Sequence, residues 1–128
     1  MSFMAELIGG FVVPNYAGII NEEKRVFGSL DSLKKTKSAS PTDAQEVGRK
    51  VSLYLRMVFR FLAKTNNIPN NELFMVFRSI TLLKGKIKDN MVVHNYIDFR
   101  FLRGIDMLFR KISIQTGLKK LMPATIGL

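Results

Sequence analysis

Apolar side chains recur at steps of three and four in four stretches of the chain, the spacing that gathers them on one side of an α-helix. The clearest stretch is 42–65. There Ala44, Val47, Val51, Tyr54, Leu55, Val58, Phe59, Phe61 and Leu62 share one side, and Arg49, Lys50, Arg56, Arg60 and Lys64 share the other. A second stretch runs from about Tyr96 to Gln115, with Ile97, Phe101, Ile105, Leu108, Phe109 and Ile112 opposite Arg100, Arg103, Arg110 and Lys111. Ile19, Ile20, Val26, Phe27, Leu30 and Leu33 predict a helix over 19–36. Leu73, Val76, Phe77, Ile80, Leu82 and Leu83 predict another over 71–84.

The residues between these stretches read as punctuation. Ser40 is a fitting N-cap for the second helix, with Pro41 at its first position and Asp43 in its first turn. Thr65 to Asn71, polar and holding Pro69, stops that helix, and Asn70 or Asn71 is expected to cap the third. Gly85 is expected to end the third helix as a left-handed C-cap, leaving Lys84, Lys86 and Lys88 in a basic loop over 84–90. Met91–His94 is compatible with a strand or a helical turn. Gly117 ends the last helix. Lys34, Lys35 and Lys37 sit where cations complement the dipole of the first helix. Together these elements predict an all-α, small single-domain bundle of four to five amphipathic helices. An apolar N-terminal arm (1–18), broken by Gly9, Gly10, Pro14 and Gly18, precedes the helical domain (19–117), and a C-terminal tail (118–128) follows it.

Composition supports one packed domain: 128 residues with 47% hydrophobic positions can bury a core. Charge changes the picture more. Twenty Lys and Arg against ten Asp and Glu leave +10. Residues 1–37 carry five basic and four acidic residues, so the remaining fifteen and six, a net +9, lie in 38–128. Such a balance points to an anionic partner: nucleic acid, an acidic membrane face or an acidic protein.

Candidate catalytic chemistry is sparse. The chain has no cysteine and one histidine, His94, which leaves no thiolate metal site, cysteine nucleophile or histidine pair. Glu22 and Glu23 point apart on a helix, while Asp43 and Glu46 fit a dipole-compensating first turn. No nucleophile elbow, phosphate-binding glycine loop or dinucleotide fingerprint occurs. The expectation is therefore a protein that is not an enzyme and has no metal, cofactor or small-molecule substrate. No 18-residue apolar run free of charge suggests a membrane span. The first twenty residues lack the basic segment of a classical signal peptide, which favours a virion or intracellular setting.

The basic faces carry the functional expectation. Arg49, Arg56 and Arg60 fall within an arc of about 40°, flanked by Lys50 and Lys64, and recur every one or two turns, about 5–10 Å apart. Phosphates along a nucleic-acid strand have comparable spacing, and the guanidinium fork bonds two phosphate oxygens. The predicted contacts are Arg49, Lys50, Arg56, Arg60, Lys64, Lys84, Lys86, Lys88, Arg100, Arg103, Arg110 and Lys111. They would hold RNA or DNA independently of sequence. Leu53 and Met57 lie among the cations of the second helix, and Phe99, Met107 and Ile114 border those of the last, so these surfaces should touch more than solvent. The apolar ends, Phe3–Val13 and the tail, suit contacts between subunits. The expected function is thus a self-assembling nucleic-acid-binding protein of viral nucleocapsid or coat type. The alternative is a peripheral matrix or adaptor protein that binds anionic membrane or an acidic protein. No homeodomain, zinc-finger, ribonucleoprotein or KH consensus is present.

Overall fold

The computed structural model describes residues 6–8, 11–36 and 40–117, an all-α bundle of five helices preceded by a short hairpin. Strands β1 (Glu6–Ile8) and β2 (Phe11–Val13) pair antiparallel, with Glu6 opposite Val13 and Ile8 opposite Phe11. The two strands lie within the segment expected to be an apolar arm, and β2 lies against α2. The tail 118–128, the start of the arm and Lys37 lie outside the described residues.

Helix α1 (Tyr16–Lys35) begins three residues before its apolar stripe, because the Asn15 side chain accepts the Gly18 backbone N–H at 2.9 Å. Helix α2 (Pro41–Lys64) starts as its sequence predicts. The Ser40 hydroxyl accepts the Asp43 N–H, and the Asp43 carboxylate accepts the Ser40 N–H, a reciprocal cap that satisfies two donors at the exposed end. Eight of the nine apolar positions assigned to the inner face of α2 are buried, and Phe59 is half-buried. This helix is the hub of the bundle, touching α1, α4, α5 and β2. Complete burial of Leu55 and Val58 stabilises by about 1.5–3 kcal/mol each.

Three further boundaries differ from expectation. Helix α3 (Asn70–Lys88) has Pro69 at its N-cap position and no side-chain cap, so neither Asn70 nor Asn71 performs that role. Instead, Asn67 takes a left-handed conformation (φ 56°) in the preceding turn. The same helix continues through Gly85 to Lys88, and there is no basic loop at 84–88. An interior glycine costs about 1 kcal/mol. Burial of Ile87 two residues beyond, with the ion pair from Lys86 to Asp31, offsets that cost. Helix α5 (Arg100–Thr116) starts four residues later than its periodicity implies. The Asp98 N–H donates to Ser52 Oγ of α2 at 3.0 Å, and Tyr96 packs on Gly48, so residues 96–99 are held as a turn. Between them α4 (Met91–His94) is a single helical turn anchored by buried Val93. Gly117 closes α5 in the left-handed conformation (φ 75°) that glycine adopts freely.

Candidate functional site

The seam between α2 and α5 sets the edge of the cationic face of α2 against α5. Ser52 meets Asp98, Phe59 meets Phe101 and Gly104, and further along Leu62 and Thr65 line a groove of about 390 Å³ with Leu108 and Ile112. Contacts thus advance together on both helices, which run side by side in the same sense. Phe59 and Phe101 pack edge to face, with centroids 5.7 Å apart. A Cβ on Gly104 would sit 2.7 Å from the Phe59 ring, so glycine permits the close approach. The Arg56 guanidinium lies over the other partner, 5.3 Å from the Phe101 centroid. One arginine of the α2 arc therefore rests on α5 itself.

Around that contact, Arg49, Lys50 and Lys64 are exposed and Arg60 is half-buried. Lys50 approaches Glu46 at 3.9 Å, one turn back. On α5, Arg103, Arg110 and Lys111 are exposed, and among the described residues they form no salt bridge; nor do Arg49 and Arg60. Arg100 differs. It grips Asp98 with two nitrogens, Nε to Oδ1 at 3.0 Å and Nη2 to Oδ2 at 2.7 Å. The hydrogen bonds from Arg100 hold the Asp98 carboxyl down at about 2. The Arg100 charge is thus already partnered, a pairing that the Asp-x-Arg spacing at 98–100 signalled.

The three lysines expected in a basic loop separate. Lys84 turns inward, only 8% exposed, and its ammonium meets Asp106 of α5 at 2.8 Å. It belongs to the interior and is withdrawn from the phosphate-contacting set, because an ion pair so enclosed cannot reach a surface strand. Lys86 binds Asp31 of α1 at 2.8 Å and lies over the Phe27 ring, so it braces α1 against α3. Lys88 is exposed. Asp106 is the one acid of α5, and its place among the arginines was the available clue that a cation would be drawn to it.

Apolar residues accompany the exposed cations. Arg103, Met107, Arg110 and Ile114 follow one another at steps of four, three and four, a single line along the outer side of α5. Met107 is 69% and Ile114 71% exposed. On α2, Leu53 is half exposed among Arg49, Arg56 and Arg60. A second mixed surface, which periodicity alone did not single out, lies on α3, where Phe74, Met75 and Leu82 are exposed beside Arg78.

One polar cluster lies inside. Ser79 of α3 donates to the Glu23 carboxylate of α1, close to the buried hydroxyl of Tyr54 on α2. Burial raises the Glu23 carboxyl above its ordinary value, against the pull of Lys24 and Arg78. Burial, then the Glu23 charge, raises the Tyr54 hydroxyl as well. With Tyr54 fully enclosed and Ser79 buried, this cluster serves to join three helices. Among the described residues no three His, Asp or Glu side chains gather as a metal ion would require, and no helix is long and apolar enough to cross a membrane. No known family matches the chain, and neither the curated proteins nor the solved structures contain one similar to it.

Proposed function

We propose that the protein binds nucleic acid without sequence preference, through phosphate contacts from α2 and α5, and that its copies assemble along the strand as small nucleocapsid or coat proteins do. The observation that carries this reading is the α2–α5 seam. Arg56 rests on Phe101, and the two helices run in the same sense, so Arg49, Arg56 and Arg60 extend beside a helix that bears Arg103, Arg110 and Lys111. Cations that make no close ion pair among the described residues keep their charge available to phosphate. Lys64 and Lys88 are further candidate contacts, while Lys50, Arg100 and Lys86 would have to exchange a carboxylate for a phosphate.

Fluorescence anisotropy with labelled RNA and DNA at 50 and 200 mM salt tests the reading. Six phosphate contacts predict a loss of roughly 300-fold in affinity on a single strand, or roughly 2,000-fold on a duplex, across that interval. Sedimentation should show larger species when nucleic acid is present. Binding that is absent or indifferent to salt, together with a strictly monomeric profile, would sink the proposal.

The peripheral membrane reading draws on Met107 and Ile114, whose exposure beside arginines resembles interfacial anchoring. Flotation with anionic and neutral liposomes separates the two: membrane binding that needs anionic lipid and survives nuclease supports the second.

A further inference from the structure

We infer that the strand held on this surface is single, with its bases turned toward the protein. The inference rests on the nucleic-acid reading above and adds the class of ligand. Its basis is the alternation of charge and apolar surface along one line. On α5, Met107 stands between Arg103 and Arg110, and Ile114 follows; both apolar side chains are more than two-thirds exposed. Arg103 and Arg110 are seven residues apart, about 10 Å along the axis, with Met107 between them. On α2, Leu53 interrupts the arginines in the same way.

A duplex has no counterpart for this pattern. Its outer surface is sugar and phosphate, and its major-groove edges are mostly hydrogen-bonding groups that Met and Ile cannot satisfy. A single strand offers both parts: phosphates at regular intervals, and unstacked base faces between them that pack against apolar as well as aromatic side chains. Guanidinium planes such as that of Arg56, backed by the Phe101 ring, also stack on unpaired bases. The arrangement fits lipid less well. Interfacial helices separate apolar and cationic residues onto opposite faces, whereas the apolar face of α5 is consumed by the core and the exposed line mixes the two.

The test compares the affinity of the full chain for a labelled 20-nucleotide oligo-dT, an oligo-U of equal length, a 20-base-pair duplex and inorganic polyphosphate, all at one salt concentration. Single strands should bind at least tenfold more tightly than the duplex. The double variant Met107→Ser, Ile114→Ser, whose sites are too exposed to disturb the core, should lose about tenfold on single strands and leave duplex and polyphosphate unchanged. Arg103→Gln with Arg110→Gln should weaken all four. Equal or tighter binding of the duplex overturns the inference, as does full single-strand affinity in the Met107/Ile114 variant. Salt-sensitive duplex binding without single-strand preference would leave the broader proposal intact, and no binding to any oligonucleotide would remove both.

Discussion

Replacing Lys84 by methionine removes the ammonium of the α3–α5 ion pair while keeping most of the apolar stem. At 2.8 Å and an effective dielectric near 20, the pair attracts by roughly 6 kcal/mol before desolvation is charged against it. Breaking such a buried pair from one side costs about 3–5 kcal/mol, because the remaining charge stays enclosed. Asp106 keeps 20% exposure and feels Arg110, which favours the lower end. The expected loss is about 3 kcal/mol, or a fall in Tm of roughly 10 °C for a domain of this length. Without the ammonium, burial lifts the Asp106 carboxyl further. The native variant then holds a proton more readily than its unfolded chain, and its deficit shrinks as pH falls toward the carboxylate range. Thermal and urea denaturation at pH 7 and pH 4.5 measure both effects. Lys84→Met with Asp106→Leu should recover most of the stability, since an apolar pair replaces an ionic one. The folded Lys84→Met protein should bind oligonucleotide as the parent does. A variant as stable as the parent at pH 7, a double variant no better than the single, or lost binding with the fold intact would refute the reasoning.

Two further predictions concern the fold. At Gly48 an added Cβ would lie 2.5 Å from Tyr96 Cβ and 2.8 Å from its carbonyl oxygen, so Gly48→Ala should destabilise by about 1–3 kcal/mol in urea titration. At Gly28 and Gly85 a Cβ meets nothing within 4 Å, and the same substitution should stabilise by about 0.5–1 kcal/mol; equal signs at all three sites would contradict the packing. The pH dependence should have two arms. Burial raises Glu23 and Asp106, so the native state binds more protons than the unfolded chain, and stability declines as pH rises above the ordinary carboxylate range. Asp98, held at about 2 by Arg100, contributes stability above its ordinary 3.8 that is lost as pH falls toward 2. Melts from pH 2 to 8 should show a maximum between the arms. Glu23→Gln should flatten the upper arm and Asp98→Asn the lower, and a profile that neither variant alters would count against both assignments.

The faces of α2 and α5 were legible from spacing because one buried side per helix suffices to set the period. The cap at Ser40 and the stop at Gly117 were legible because their partners lie within three or four residues. The hairpin was not. Gly9 and Gly10 stand between the strands in sequence, but the flanking residues are apolar without alternation, and β2 is oriented by its contact with α2. The late start of α5 was equally hidden, since it depends on Ser52 and Gly48, more than forty residues earlier.

The sequence by itself determined an all-helical chain with cations on the outer sides of two helices, because helical periodicity and charge are local properties. Which cations remain outside was decided by tertiary structure. Lys84 and Lys86 have the same local pattern as Lys88, yet Asp106 draws the first inward and Asp31 holds the second on α1. The seam where Arg56 meets Phe101 likewise exists only once α2 and α5 pack together. Long-range pairing depends on which helices become neighbours, and that follows from the summed burial of the whole core rather than from any one segment.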